Sequence, residues 1–215
     1  MKILVYDCEI IKAVPIDYKN EAKIEGIEYC DGWHDHANMG ISVIGTYNNW
    51  NKEQIAFVNY EAMHMGYPPM EDLKLKTIKH FQDLLNECDI LVGFNSIRFD
   101  NLLIEANGFT IPTHIKQYDI LQEMWQAAGL GPDFTFPYHA GYSLKQTCKV
   151  NDLPSKSGDG VNAAIDWQRG KYEKVIRYCL NDVMITTELL RKIQDSDGWI
   201  VNPKNKLKLR KVQDV

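Results

Sequence analysis

Asp7 and Glu9 stand two residues apart in YDCEI, directly after the apolar run Ile3, Leu4, Val5. Strand side chains alternate between faces, so both carboxylates project from one side, about 6 to 7 Å apart, while Cys8 turns to the other. Two such anions beside a buried strand repel each other and lose hydration, which calls for a compensating positive charge. The competing reading is that the strand ends at Tyr6 and both acids sit in water.

Two further stretches carry acids in a suggestive context. In GFNSIRFDNLL, Asp100 follows the strand-like ILVGF and opens a helix, so it lies near the carboxyl end of a strand, where open α/β sheets gather ligands. An Asp at a helix start is also an ordinary cap, Asn95 an ordinary turn residue, and Phe99 either core or a stacking surface. In YEKVIRYCLNDVMITTELL the apolar stripe runs through Tyr172, Val175, Ile176, Cys179, Val183, Thr186 and Leu190. Tyr178 and Asp182 are four apart and share a face at the margin of that stripe, where core meets solvent; a solvated helix face is the alternative.

If the four acids converge, they form an oxygen-rich site suited to Mg²⁺ or Mn²⁺. Zinc does not fit, because histidine and cysteine do not accompany the acidic motifs at zinc-ligand spacing. His34 and His36 in WHDH supply only two ligands and read as loop histidines.

The elements that must position these groups follow the chain. ISVIGTYN and QIAFVNY, separated by NNWNKE, read as a hairpin. From Glu71 to Cys88 the positions Leu73, Ile78, Phe81, Leu84, Leu85 and Cys88 keep helical spacing. DILVGFN reads as a buried strand, NLLIEANG as a helix closed by Gly108, and IKQYDIL as an extended piece feeding a helix through Trp125 and Ala128. GLGPDFTFPYHAGYS is a structured loop, LPSKSGDG a second breaker cluster, and a long helix covers about Lys171 to Ile193. GWIVNPKNKLKLRKV suggests a closing hairpin turning near NPKN. It puts Lys204, Lys206, Lys208 and Arg210 at alternate positions, either guiding a nucleic-acid backbone or keeping a sheet edge soluble. Residues 11–38 are irregular and carry no assigned role.

At 215 residues the chain suffices for one substantial domain. A net charge of −5 excludes whole-molecule attraction to nucleic acid or anionic membrane, but not an enzyme that meets phosphate through bound cations. Five cysteines without a close pair imply a reduced, cytoplasmic chain. The first apolar run stops at Asp7, too early for a signal peptide, and no stretch reaches bilayer length.

Taken together, Asp7-Cys8-Glu9, the run from Asn95 to Phe99-Asp100, and Tyr178 to Asp182 resemble the three motifs of the DEDD superfamily of 3′-to-5′ exonucleases. The YxxxD spacing resembles the tyrosine branch, since the other branch wants histidine where this chain has Arg177. WHDHANMGISVIGTYN, LPSKSGDG and DWQRGKYEKVIRYCLNDV resemble stand-alone relatives of the family B DNA polymerase exonuclease domain. The resemblance implies an RNase H-like α/β fold over residues 1–215, with a central mixed five-stranded sheet flanked by helices and a possible C-terminal hairpin. It implies two divalent ions, Mg or Mn, held by Asp7, Glu9, Asp100 and Asp182, with Tyr178 positioning water or phosphate, because an unperturbed phenol, pKa about 10, is a poor base. Asn95 and Phe99 would meet the terminal nucleotide, and Lys156 a phosphate. The expected partner is a single-stranded 3′ end, DNA rather than RNA. An exoribonuclease and a non-cleaving binding module on the same fold are the alternatives.

Overall fold

The computed structural model describes residues 1–15, 23–63, 70–154 and 160–215. A six-stranded mixed sheet forms the centre, in the order β4-β3-β2-β1-β5-β6. Its strands are β1 (Ile3–Ile10), β2 (Ile41–Asn48), β3 (Glu53–Val58), β4 (Leu75–Thr77), β5 (Ile90–Gly93) and β6 (Lys116–Asp119). β1 pairs antiparallel with β2 and parallel with β5, and β2 is antiparallel to β3 as well, so within this sheet β2 runs against the other strands.

Alternation along β1 divides the core. Ile3 and Val5 face a cluster containing Val183, Leu189 and Ile193 of the long helix α7 (Tyr172–Asp195). Leu4, Tyr6, Cys8 and Ile10 face the other layer, with Phe81 and Leu85 of α2 (Phe81–Glu87) and Leu103 and Ile104 of α3 (Asp100–Ala106). Each large apolar side chain buried this way contributes about 1.5 to 3 kcal/mol, so the strand is clamped from both faces and its register is fixed. Asp7 and Glu9, continuing the series of Ile3 and Val5, therefore belong to the face of α7.

The remaining helices are α1 (His36–Met39), α4 (Ile120–Ala127), α5 (Leu144–Val150) and α6 (Gly160–Gln168). Sequence periodicity does not announce α5 and α6, which are short and sit beside breaker clusters. A C-terminal antiparallel hairpin joins β7 (Trp199–Val201) to β8 (Lys206–Lys208), as the turn signal at NPKN predicts. The architecture is that of an RNase H-like α/β fold.

The sheet holds one strand more than expected. The helix predicted over Glu71 to Cys88 divides into β4, a 3₁₀ turn at Ile78–His80 and α2. Ala56, Phe57 and Val58 of β3 offer an open edge, and Leu75, Lys76 and Thr77 pair with it in parallel. Satisfying that edge outweighs the local helical pattern.

Candidate functional site

Asp7 and Glu9 leave β1 just beyond the end of its parallel partner. The β1–β5 ladder stops at Val5↔Val92, while β1 runs on to Ile10 against β2 alone. The exposed edge is taken up by a side chain: the Cys8 N–H donates to Oδ1 of Asp100 at 3.0 Å. Asp100 opens α3, so one hydrogen bond fixes the second acidic motif against the first.

The β5–α3 connection that delivers Asp100 is held by a residue from β6. Asp119 accepts the N–H groups of Asn95 at 2.9 Å and Ile97 at 3.0 Å, while also capping α4 through the N–H of Leu121 at 3.0 Å. Asn95 adopts φ +67°, a left-handed conformation that an Asn tolerates better than most residues. Gly93 lets this turn close tightly, since a Cβ there would lie 2.4 Å from that of Ser96.

α7 approaches β2 across a second glycine. Gly45 is the cross-strand partner of Asp7, and a Cβ there would meet Sγ of Cys179 at 2.9 Å and its backbone oxygen at 3.2 Å. The Gly45 N–H donates to the Cys179 sulfur at 3.2 Å, and the thiol points to the Asp7 carbonyl at 3.4 Å. This close approach brings Tyr178 and Asp182, on either side of Cys179, over the acidic pair on β1. The helix runs deeper than its sequence pattern suggests, with Asp182 only 1% exposed rather than at a solvent margin.

Asp7, Glu9, Asn95, Phe99, Asp100, Tyr178 and Asp182 all line one cavity of about 270 Å³. Asp7, Glu9 and Cys179 each offer an atom within 4.8 Å of the others. Burial, then the carboxylates of Asp7 and Glu9, push the Cys179 thiol well above its usual range. Among the described residues no imidazole lines the cavity. Hard divalent cations suit these donors. Burial first, then the neighbouring Asp7 charge, raise Asp100 well above the normal carboxylate range, which is the electrostatic load that a cation relieves.

Against this geometry, no family model matches the chain, and no curated protein matches it. Solved structures do match. One is the family B DNA polymerase from the hyperthermophilic archaeon Pyrobaculum calidifontis, with a TM-score of 0.55 and 14% identity over 90% of this chain. At this identity the likeness is one of fold. The chain spans only 24% of that polymerase's length.

Lys156 lies outside the described residues; Gly160 lines the cavity beside Tyr178. Phe99 serves packing and cavity together: it is half-buried, with the rings of Trp33 and His36 each 5.7 Å away. The basic C-terminal residues stay exposed while making contacts within the chain. Lys204 donates to the Tyr138 carbonyl at 2.9 Å, Lys206 and Lys208 flank the Trp199 ring, and Arg210 pairs with buried Glu123.

Sequence reasoning passed over Asp119, Cys179, Val14 and Trp33. Asp119 carried the same signal as Asp100, an acid at the end of a strand entering a helix. Val14 and Trp33 carried none, because their place in the cavity wall depends on non-local contacts outside regular elements, such as the bridge between Ala13 and Tyr29.

Among the described residues, no helix is long and apolar enough to cross a membrane.

Proposed function

We propose that this chain is a metal-dependent 3′-to-5′ exonuclease, one domain over residues 1–215, releasing nucleoside 5′-monophosphates from single-stranded DNA ends. The observation that carries the reading is the convergence of seven side chains from three separated motifs on one cavity. Gathering four carboxylates where phosphate must come is unfavourable unless cations stand between them, which speaks against a module that only binds. The five buried free thiols support a reducing, cytoplasmic setting.

Asp7, Glu9, Asp100 and Asp182 would hold two divalent cations, magnesium or manganese. When bound, the cations supply the positive charge that stabilises both the attacking and the leaving oxygens of the displacement. Phe99 supports the terminal base and Asn95 hydrogen-bonds the terminal nucleotide. Tyr178 donates its phenolic hydrogen to orient the attacking water or a non-bridging phosphate oxygen. The water oxygen joins phosphorus, the bond from phosphorus to the 3′ oxygen breaks, and the remaining proton ends on that oxygen. One water is consumed for each nucleotide released. Lys156 is a candidate phosphate contact.

The test is a single strand labelled at its 5′ end, incubated with Mg²⁺ or Mn²⁺. Stepwise shortening from the 3′ end, abolished by chelator and by Asp7→Asn, is expected. Tight binding without shortening in either metal overturns the reading. RNA of the same sequence, run in parallel, decides the sugar.

A further inference from the structure

A second pocket, of about 240 Å³, forms where Ile97 of the β5–α3 connection meets β6, α4 and Arg210. It shares no lining residue with the carboxylate cavity. Its charged side chains are already committed. Arg210 donates through Nε and Nη2 to the two carboxylate oxygens of Glu123, which is 6% exposed. Asp119, 2% exposed, accepts the backbone N–H groups of Asn95, Ile97 and Leu121. The guanidinium therefore offsets one buried acid and nothing more. A phosphate would meet no spare positive charge here, and a metal ion no carboxylate free of other partners.

The amides are in the opposite condition. Gln122 and Gln126 stand one turn apart on α4, so they share a face, and both line the pocket. Among the described residues neither side-chain amide has a hydrogen-bond partner. Gln117 accepts from Nδ2 of Asn101 and keeps its own amide N–H groups to offer. Gln54, Gln82 and Gln168, elsewhere in the chain, spend theirs on backbone carbonyls. An amide presents a donor and an acceptor side by side in one plane. The complementary ligand edge carries an acceptor beside a donor, as do N7 and N6 of adenine, which glutamine meets with two hydrogen bonds. Ile97, Leu130 and Pro132 add apolar surface suited to the faces of a ring. The volume lies below the about 300 to 1,000 Å³ of sites for drug-sized ligands, so one small ring system enters and a strand does not.

We infer that this pocket binds an adenine nucleoside. The inference goes beyond the hydrolysis proposed above and stands whether or not that reaction occurs. The pocket lies against the residues that hold the second acidic motif in place. Asp119 anchors the turn at Asn95 and Ile97, and Gln117 reaches Asn101, the neighbour of Asp100. A bound nucleoside contacts these supports while remaining outside the cavity that contains Asp100.

Methyl-labelled protein in chelator, titrated with adenosine, locates the occupant. The Ile97 and Leu130 methyl signals are expected to shift and saturate, while Ile10 and Val14, in the carboxylate cavity, report any binding there separately. Gln122→Met and Gln126→Met keep a long helix-forming side chain and remove the amide. Each should weaken the Ile97 and Leu130 titration about tenfold. Gln126 is exposed, so its variant keeps the fold even if Gln122→Met does not. Adenosine 5′-monophosphate should bind this pocket no more tightly than adenosine. Absence of a shift at Ile97 and Leu130 overturns the site, as does a titration that Gln126→Met leaves unchanged or tighter binding of the monophosphate. Shifts confined to Ile10 and Val14 place adenosine in the carboxylate cavity and overturn it as well. None of these readouts involves cleavage, so the proposed hydrolysis is judged apart from them.

Discussion

The backbone N–H of Cys8 donates to the carboxylate of Asp100 at 3.0 Å, tying the edge of β1 to the first turn of α3. The contact forms where β5 has ended, so it replaces a missing ladder bond and places an acid in the site at once.

Asp100→Asn keeps an acceptor for that N–H and removes the charge. Burial, then Asp7, holds the folded carboxyl above its unfolded value of about 3.9. A raised acid binds more protons folded than unfolded, so its contribution to stability falls as pH rises from the unfolded value to the folded one. The metal-free variant should therefore melt higher than wild type at neutral pH, with the gap closing below about pH 4. Nuclease activity should fall by more than about 100-fold, since even outer partners of metal ligands cost about 10- to 100-fold. Melting curves at both pH values and a turnover assay decide it; a variant that melts lower throughout contradicts the account.

Asp119 has no place in the cavity lining and is predicted to act through Asn95 and Ile97. Asp119→Asn exchanges one acceptor oxygen for a donor that faces other donors. Stability should drop by about 1 to 3 kcal/mol in urea denaturation. Turnover should fall even at temperatures where the variant is fully folded, because the turn that carries Asn95 and delivers Asp100 loses its anchor. A loss of stability with unchanged turnover would assign Asp119 to capping alone.

Gly45 is where α7 comes nearest the sheet. Gly45→Ala should cost about 1 to 3 kcal/mol and lower activity together, because Tyr178 and Asp182 ride on the displaced helix. Adding Cys179→Ala removes the sulfur contact but leaves the backbone oxygen at 3.2 Å, so recovery should be partial. Gly131→Ala, with nothing within 4 Å of the added carbon, is the matched control. Denaturant midpoints and rates for the four proteins provide the check.

Asp197 stands between Lys208 and Lys211, whose hydrogen bonds hold its carboxyl down to about 2. A depressed acid contributes above its unfolded pKa, about 3.9, and loses that contribution as pH falls through about 2. Asp197→Asn tolerates the same backbone, φ +53°, and should lower the melting temperature slightly at neutral pH in low salt. The difference should shrink in high salt and disappear in strong acid. A difference that persists in acid would show that the charge is not its source.

Much of the site could be read from the chain because its chemistry is local in form. Alternation puts Asp7 and Glu9 on one face, and a four-residue step puts Tyr178 beside Asp182. The strands Ile41–Asn48 and Glu53–Val58 and the closing hairpin follow from β-rich runs separated by polar turns, and the structure has them. The segment from Leu75 to Cys88 resisted, since its apolar spacing satisfies a helix while the edge of β3 demands a strand.

Sequence by itself determined which acids exist, which of them share a face, and that each stands at the end of a strand or along a helix. Periodicity is a property of neighbouring residues and survives without any tertiary information. Only the tertiary structure decided that the faces meet, because that depends on β1 outrunning β5, on the absence of a side chain at Gly45, and on the hydrogen bonds that Asp119 and Asp100 make to backbone far from them in sequence.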